Sequence, residues 1–347
     1  MWLKLLKQFA LLSYEENNDF HPSSIHTRAG MNSFASLLNH PDISFLPIPA
    51  SIKVDNPATG ETLAFVRTTR SDNLKLLIQK AEAAQKLWAA KTALERADVL
   101  WRWYFLIKEN KEELARIMTM EQGKSLTEAR GEIDYAASFV RWFAEEARRI
   151  DGDVLTSVKA SQKLVVLKQP VGVTAAITPW NFPSAMIARK AAPALAVGCA
   201  MIVKPASLTP LSAYALALLA YEAGVPQDLL PVVSGRASEI SHEFATNPTV
   251  RKISFTGSTE VGAKIFADSA ADIKKLSLEL GGNAPFIVFD DADLDKAVEG
   301  TLASKFRNSG QTCVCTNRVY AQSGIYDEFC RKLEWHFKEY ACNYNCY

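Results

Sequence analysis

The sequence lacks most of the features that mark specialised protein classes. It has no run of the ~18 apolar residues that a membrane helix needs, no internal repeat and no low-complexity tract. Lys and Arg number 39 against 38 Asp and Glu, so no net field attracts nucleic acid or an anionic membrane. Only six cysteines occur in 347 residues, without a paired framework, which favours a reducing, cytoplasmic location. We therefore expect a globular protein of more than one domain that binds neither nucleic acid nor membranes.

The two ends differ from the rest of the chain. The start, Met1–Lys7, interrupts its apolar residues with two lysines, which is untypical of a secretory signal; an amphipathic organelle-targeting segment stays open as an alternative. Residues up to about 50 show no clear periodicity and are expected to be poorly ordered. Residues 333–347 concentrate aromatic side chains and cysteines. We expect both ends to be atypical segments that are not native to the fold between them.

Between these ends, the periodicity predicts helices first and then alternating strands and helices. The early helices are predicted at Asn73–Trp88, Leu94–Met120 and Leu126–Arg149. The predicted strands are Lys163–Lys168, Val171–Ile177, Ala200–Val203, Leu230–Val233, Lys252–Phe255 and Phe286–Phe289. The helices between and after them are predicted to begin at Ser184, Thr209, Ser238, Ser258 and Asp293. This alternation predicts an α/β fold with a Rossmann-like parallel sheet, whose ligands sit beyond the carboxyl ends of the strands.

Two loops at predicted strand ends have the composition of anion sites. Lys204-Pro205-Ala206-Ser207 places a cation and a hydroxyl before a helix, although a plain N-cap and a solvated lysine fit these residues as well. In the loop Thr256–Gly262, glycines flank a helix start, where a backbone can approach a pyrophosphate. That loop matches neither G-x-G-x-x-G nor a P-loop, because Ala263 separates Gly262 from Lys264.

A cysteine pair lies in the segment Gly310–Cys315. Cys313 follows a glycine-led turn and is a candidate thiolate nucleophile. A small buried apolar residue is the alternative for a lone cysteine. A zinc site is the second alternative, with ligands Cys313, Cys315, Cys342 and Cys346. The spacings of these four do not match the usual Cys-x-x-Cys pairs.

Two further polar side chains stand at apolar strand ends. Glu279 lies among leucines beside two glycines, where a carboxyl group could act as a general base or could simply pair with a nearby cation. Asn181, in Trp180-Asn181-Phe182-Pro183, offers an amide that can donate to a developing oxyanion.

Taken together and in this order, these segments resemble the aldehyde dehydrogenase superfamily from about Val54 to Arg331. The matching motifs are Pro179–Pro183, Lys204–Ser207, Phe255–Ser258, Leu278–Gly282 and Gly310–Cys313. Within the superfamily, Phe306–Cys315 and Met186–Lys190 are most similar to the succinate-semialdehyde dehydrogenases. The resemblance implies an NAD(P)-dependent enzyme that oxidises an aldehyde to a carboxylic acid, most simply succinate semialdehyde to succinate in GABA degradation.

By the same resemblance, Cys313 is the nucleophile, Asn181 and the backbone N–H of Cys313 hold the oxyanion, and Glu279 activates the hydrolytic water. The cofactor is expected along Trp180, Lys204, Ser207, Gly257 and Ser258. Many NAD-preferring relatives have a Glu where this chain has Ser207. Because a Glu would repel a 2′-phosphate, the sequence predicts a preference for NADP, with NAD as the alternative.

The resemblance also assigns the substrate end of the site and suggests a redox role. Arg189 and Arg307 occupy the positions that bind the distal carboxylate of succinate semialdehyde, and a surface ion pair is the alternative for either. Cys315 is a candidate partner of Cys313 in a reversible disulfide.

The resemblance ends near Lys332. We expect residues 51–278 to form the cofactor domain with its early helices, and residues 279–332 to begin the catalytic domain. The rest of that domain, with its Glu-x-Phe-Gly-Pro segment and the arm used for homo-oligomer pairing, is expected to be missing. Two other interpretations therefore stay open: a catalytically inactive remnant that at most binds nucleotide, and a metal-binding or interaction module built around the cysteines.

Overall fold

The computed structural model describes residues 36–344, with side chains as far as His336. The strands in this part of the chain are β1 (Ile43–Ser44), β2 (Ser51–Asp55), β3 (Thr62–Arg67), β4 (Asp153–Leu155), β5 (Leu164–Val166), β6 (Val173–Ile177), β7 (Ala200–Lys204), β8 (Val250–Thr256), β9 (Lys275–Glu279), β10 (Ala284–Val288) and β11 (Thr316–Ala321). The α-helices are α1 (Ser71–Ala89), α2 (Ala93–Glu109), α3 (Lys111–Gln122), α4 (Leu126–Glu146), α5 (Ala185–Ala196), α6 (Leu211–Ala223), α7 (Ala237–Thr246), α8 (Thr259–Asp268), α9 (Leu294–Phe306) and α10 (Tyr326–Tyr344).

The early helices follow the predicted pattern with one exception. The long helix predicted over Leu94–Met120 is wrong, because the chain breaks at Asn110 into α2 and α3. Asn110 has φ −97° and ψ 18°, and its side-chain amide donates to the carbonyl of Leu106 at 2.9 Å. An amide side chain can satisfy the backbone in this way when a helix ends, which periodicity alone does not reveal.

The main sheet is parallel, with strand order β7-β6-β8-β9. All residues of β6 and β7 are buried, because helices cover both of their faces. The predicted Rossmann-like α/β fold is thus confirmed. The strand predicted at Leu230–Val233 is wrong, since only Val232 forms an isolated bridge to Val203. Pro231 has no N–H to donate, which prevents a regular ladder there.

Three smaller sheets flank the main one. β1 and β2 pair antiparallel with β3, and β10 pairs parallel with β11. β4 and β5 form an antiparallel pair with its side chains exposed to solvent. Its apolar exposed residues are Val154, Leu155, Leu164, Val165 and Val166. β9, which the sequence reasoning missed, adds the last strand to the main sheet.

The described residues contain two hydrophobic cores of unequal size. The large core extends through the early helices and the main sheet and includes Trp103, Tyr214 and Phe244. The small core lies between β10, α9 and α10; its buried members are Val288, Val298, Leu302, Phe329 and Leu333. Leu37 and Leu38, in the segment expected to be atypical, are buried in the large core. The division of the chain at residues 50, 278 and 332 stays a prediction.

Two expectations concern the ends of the chain. Of the segment 333–347, the part up to Tyr344 continues helix α10, whereas residues 1–35 and 345–347 lie outside the described structure. None of the helices described is long and apolar enough to cross a membrane.

Candidate active site

The carboxyl ends of the four main-sheet strands meet at one edge. Ile177 is in register with Lys204, and Thr256 is in register with Glu279. Thr178 donates to the carbonyl of Lys204 at 3.1 Å, and Gly257 donates to the carbonyl of Glu279 at 3.0 Å. The loops predicted to carry the chemistry therefore start side by side, as expected for a parallel sheet.

Asn181 lies in the loop after β6 and contacts the nucleophile segment directly. Its Nδ2 donates to the carbonyl of Gln311 at 2.7 Å, two residues before Cys313. A primary amide carries two N–H donors, so one remains for an oxyanion. The loop that contains the candidate oxyanion donor is thus joined to the turn that contains the candidate nucleophile, 130 residues further along the chain.

Cys313 is exposed and lies in the turn between the 3₁₀ segment Arg307–Gly310 and β11. Gly282 approaches it closely, because a Cβ at position 282 would lie 2.5 Å from the carbonyl oxygen of Cys313. Only a glycine fits at that distance. The glycines after β9 thus allow the Glu279 strand to pass against the nucleophile turn.

Glu279 ends β9 and forms an ion pair with a predicted substrate residue. Its Oε1 lies 3.6 Å from a guanidinium nitrogen of Arg189 on α5. The side chain of Glu279 is half exposed and that of Arg189 one-third exposed, so water screens this pair. The open alternative of a Glu paired with a nearby cation therefore describes the observed contact. This ion pair does not exclude a role of Glu279 as a base, because a pair that is partly exposed to water is weak and opens readily.

The two candidate substrate arginines lie against aromatic rings. The Arg189 guanidinium carbon is 5.4 Å from the ring centre of Phe139. That of Arg307 is 5.4 Å from the ring centre of Phe182 and 5.7 Å from that of Tyr135. Guanidinium groups over aromatic faces are held without losing their charge, and they remain able to bind a carboxylate.

The predicted cofactor residues surround the end of β7 and the β8–α8 loop. The Lys204 side chain is buried, and burial lowers its pKa to about 8. In the described part of the chain no carboxylate pairs with it, so a bound anion or hydroxyl would relieve its desolvation. Ser258 is the N-cap of α8 and accepts from Val261 N–H at 3.3 Å. Trp180 is exposed, and Ser207 is half-buried.

Two glycines in the β8–α8 loop lie too close to neighbouring side chains to carry a Cβ. A Cβ at Gly257 would lie 2.5 Å from the Phe255 ring, and a Cβ at Gly262 would lie 2.6 Å from Leu280. Glycine is therefore required at both positions for the loop to pack against Phe255 and Leu280.

Buried charged residues that the sequence reasoning missed support this edge from behind. Both carboxylate oxygens of Glu121 accept from the first N–H groups of α6, those of Leu211 and Ser212. Burial raises the pKa of Glu121 to about 7. Glu132 accepts with one oxygen, Oε1, from the N–H groups of both Ser184 and Ala185 at the start of α5. Glu121 and Glu132 thus cap the helices that follow β7 and β6.

Lys124 and Lys190 complete the buried set. Lys124 forms a fully buried ion pair with Glu132 and also donates to the carbonyl of Asn181 at 2.8 Å. Lys190 donates to Thr256 Oγ1 at 2.7 Å, and burial lowers its pKa to about 8. The only sequence signal for a buried charged side chain is a polar residue that interrupts an apolar pattern. That signal does not indicate which residue it binds.

The other cysteines do not form a metal cluster among the described side chains. Cys315 is buried, and its thiol donates to the carbonyl of Lys305 at 3.4 Å. The side chains of Cys342 and Cys346, which the zinc alternative also requires, lie outside the described residues.

Comparison with known proteins places these features in one family. The sequence profile of the aldehyde dehydrogenase family matches residues 48–343. The succinate-semialdehyde dehydrogenase [NADP(+)] of Escherichia coli is 60% identical over 284 residues, which are 82% of this chain and 59% of that protein. A glutarate-semialdehyde dehydrogenase of Pseudomonas aeruginosa is also 60% identical over 284 residues, with the same coverage.

A solved structure shows the same fold. The succinate-semialdehyde dehydrogenase of Burkholderia pseudomallei superposes with a TM-score of 0.85 at 54% identity, over 88% of this chain and 64% of that one. The chain thus spans about three-fifths of the length of the relatives it matches. With the family profile matching most of its residues, the chain belongs to the aldehyde dehydrogenase family.

Proposed function

We propose that this chain carries the cofactor and nucleophile machinery for NADP-dependent oxidation of a short aldehyde with a distal carboxylate. Succinate semialdehyde is the primary candidate. The observation that carries the proposal is the bond from Asn181 Nδ2 to Gln311 O, because it joins the oxyanion donor to the turn of Cys313. The relatives act, by their names, on succinate semialdehyde and glutarate semialdehyde, which are aldehydes with a carboxylate at the far end.

In the first step, the Cys313 thiolate attacks the aldehyde carbon and forms a thiohemiacetal. The carbonyl oxygen becomes an oxyanion, which the free N–H of Asn181 and the backbone N–H of Cys313 stabilise. Such donors act strongly because they are fixed before the charge develops. A nicotinamide nucleotide held along Trp180, Lys204, Ser207, Gly257 and Ser258 would supply the hydride acceptor that this oxidation needs, and the group on Cys313 would then be a thioester.

In the second step, Glu279 removes a proton from the water that hydrolyses the thioester. Its position at the end of β9, beside the Gly282–Cys313 contact, supports this role. Glu279 must first separate from Arg189, which costs little because the pair is half exposed. Hydrolysis releases the carboxylic acid and returns Cys313 to the thiol.

The proposed cofactor residues favour NADP, which carries a 2′-phosphate, over NAD. Trp180, Lys204, Ser207, Gly257 and Ser258 surround the strand ends, and the uncompensated charge of Lys204 suits an anionic or hydroxyl-rich ligand. Ser207 does not repel a 2′-phosphate as a carboxylate would. We therefore expect higher catalytic efficiency with NADP than with NAD, and equal efficiencies would contradict this assignment.

The substrate carboxylate is assigned to Arg189 and Arg307, whose guanidinium groups lie over aromatic rings. Arg307→Ala should raise the Michaelis constant of a carboxylated aldehyde far more than that of an uncharged aldehyde of similar length. An equal rise for both would remove these arginines from substrate recognition.

We also propose that Cys313 and Cys315 form a reversible disulfide when peroxide is present. Two thiols then lose two electrons and two protons, and the peroxide is reduced to two waters. Replacing Cys315 by Ser should slow peroxide inactivation that a thiol reverses, and unchanged inactivation and rescue would refute it. A cytoplasmic location stays a prediction.

The decisive experiment mixes the purified chain with NADP and succinate semialdehyde and follows the absorbance of reduced nicotinamide. Cys313→Ala should lose turnover, whereas Cys330→Ala, which removes a thiol on α10, should keep it. Turnover that survives in Cys313→Ala would refute the assignment of the nucleophile. Protection of the chain by NADP without any turnover would favour the alternative of an inactive nucleotide-binding remnant.

A further inference from the structure

We propose that Asn308 is a positioning residue that clamps the oxyanion-donor loop to the nucleophile turn. The catalytic part of this inference rests on the proposed function. The mechanical part, that one side chain holds the two loops together, does not depend on turnover.

Asn308 contacts both loops at once from a buried position. Only 2% of its surface is exposed. Its Nδ2 donates to the carbonyl of Asn181 at 3.0 Å and to the carbonyl of Gln311 at 3.3 Å. The same two residues are joined directly by the bond from Asn181 Nδ2 to Gln311 O. Two of these bonds join the Trp180–Pro183 loop to the nucleophile segment, and the third, from Asn308 to Gln311, braces that segment internally.

The backbone at this position is held in a conformation that few residues adopt. Asn308 has φ +53° and Ser309 φ +54°, both in the left-handed region. Such a conformation costs free energy for a residue with a Cβ, and Asn tolerates it better than most. It persists where the surroundings fix it, as they do here, since the N–H of Asn308 donates to Glu128 Oε1 at 2.5 Å.

The other side of Asn181 is fixed by a separate buried group. Lys124 Nζ donates to the Asn181 carbonyl at 2.8 Å, so this oxygen accepts from both Lys124 and Asn308. Lys124 is itself paired with Glu132, which caps helix α5 immediately after the loop. The backbone of Asn181 therefore has one anchor in the early helices and a second anchor, Asn308, in the nucleophile segment.

This arrangement determines where the free N–H of Asn181 points. Its carbonyl is held from two sides and one amide hydrogen is used by Gln311, so the second hydrogen has a fixed direction. A displacement of ~1 Å in such a donor can cost ~10²-fold in rate. Asn308 never touches the substrate in this scheme, and it acts by setting the distance between Asn181 and Cys313.

The test uses two variants at this position and one control. Asn308→Gly keeps the left-handed backbone and removes the side-chain donors. Asn308→Asp keeps the shape and replaces the donor by a carboxylate that faces two carbonyl oxygens. Asn110→Asp is the matched control, because Asn110 also donates an amide hydrogen to a carbonyl, that of Leu106, far from the site.

Hydrogen exchange measured by mass spectrometry on the full chain shows whether Asn308 holds the two loops together, and it does not require turnover. In Asn308→Gly we expect amides of both the Trp180–Ser184 loop and the Gly310–Cys315 turn to exchange about tenfold faster, because both lose a common anchor. Peptides of β6 and β7 should be unchanged. Faster exchange confined to the turn, with the Trp180–Ser184 loop as in the parent chain, would overturn the clamp.

Steady-state kinetics then tests the catalytic part. Asn308→Gly should lower kcat by roughly 10- to 100-fold and change the Michaelis constant for NADP by no more than about twofold. Asn308→Asp should lose at least as much, and Asn110→Asp should match the parent chain. An unchanged kcat in Asn308→Gly would remove the catalytic role of Asn308. If the parent chain shows no turnover, the proposed function fails on its own, and the exchange result still decides whether the clamp exists.

Discussion

The predicted cofactor domain (residues 51–278, the cofactor region) and the predicted start of the catalytic domain (residues 279–332, the nucleophile region) differ in how deeply their strands are buried. All residues of β6 and β7 are buried, and they belong to a core that also includes the early helices. The paired strands of the nucleophile region, β10 and β11, contain one buried residue each, Val288 and Thr316. Their core has five buried members in the described structure.

This difference in burial indicates how the thiol of Cys313 is positioned. The turn of Cys313 is held mainly by bonds to the first region: Asn181 to Gln311, Asn308 to Asn181, and Asn308 to Glu128. The local core beneath it is small. The Cys313 turn thus takes its geometry from its bonds to the cofactor region.

Truncating one leucine in each core gives the strongest test of this comparison. Leu216→Ala in the large core should lower the free energy of unfolding by about 4 kcal/mol, because a fully buried leucine leaves a cavity that cannot collapse. Leu302→Ala in the small core should cost about 2 kcal/mol, since its surroundings can relax. Urea unfolding measures both, and an equal or larger cost for Leu302→Ala would break the contrast.

The next test removes Asn181, the proposed oxyanion donor, from the cofactor region. Asn181→Ala should reduce kcat by ~10²–10³-fold, about 3–4 kcal/mol of transition-state stabilisation. The Michaelis constant for NADP should stay near that of the parent chain, because the cofactor loops do not depend on this amide. A comparable loss of cofactor affinity would mean that Asn181 supports the cofactor region, and the distinction between the two regions would weaken.

The smallest expected effect is a pH dependence of the free energy of unfolding, caused by a buried carboxyl group in the cofactor region. The pKa of Glu121 is raised by burial from 4.5 to about 7, so the folded chain retains a proton there that the unfolded chain loses above about pH 4.5. This group's stabilising contribution is present below about pH 4.5 and is lost as the pH rises through about 7. The change amounts to about 3 kcal/mol.

Urea unfolding from pH 4.5 to 7.5 measures this dependence. Glu121→Gln should flatten it, and Glu222→Gln, which changes an exposed carboxylate on α6, serves as the control. A parent chain and a Glu121→Gln variant with parallel pH profiles would show that this carboxyl group does not titrate in that range.

The sequence predicted the buried strands of the main sheet better than β9, and it did not predict where the early helices break. β6 and β7 are short, mostly apolar runs, and the sequence placed them, like β8, within a few residues. β9 was missed because Lys275–Glu279 alternates polar and apolar residues over only five positions. The break at Asn110 was missed because one amide side chain decides it.

The supporting residues of the site were harder to predict than its reactive ones. Cys313, Glu279 and Asn181 were named from their motifs, and their roles stay predictions that the observed contacts support. Glu128 and Glu132 lie on α4, and Lys124 lies in the loop before it, more than 40 residues before the segments they hold. Only the tertiary fold brings them there, so no local pattern could have named their partners.

The bond between Glu128 and Asn308 joins positions 180 residues apart. A ribosome adds ~5–20 residues per second, so Asn308 emerges ~10–40 s after Glu128. Throughout that interval the early helices and the main sheet can form, while the hydrogen bond that holds the segment before Cys313 is not yet possible. In the order of synthesis, the thiol of Cys313 is among the last parts of the described chain to reach its final position.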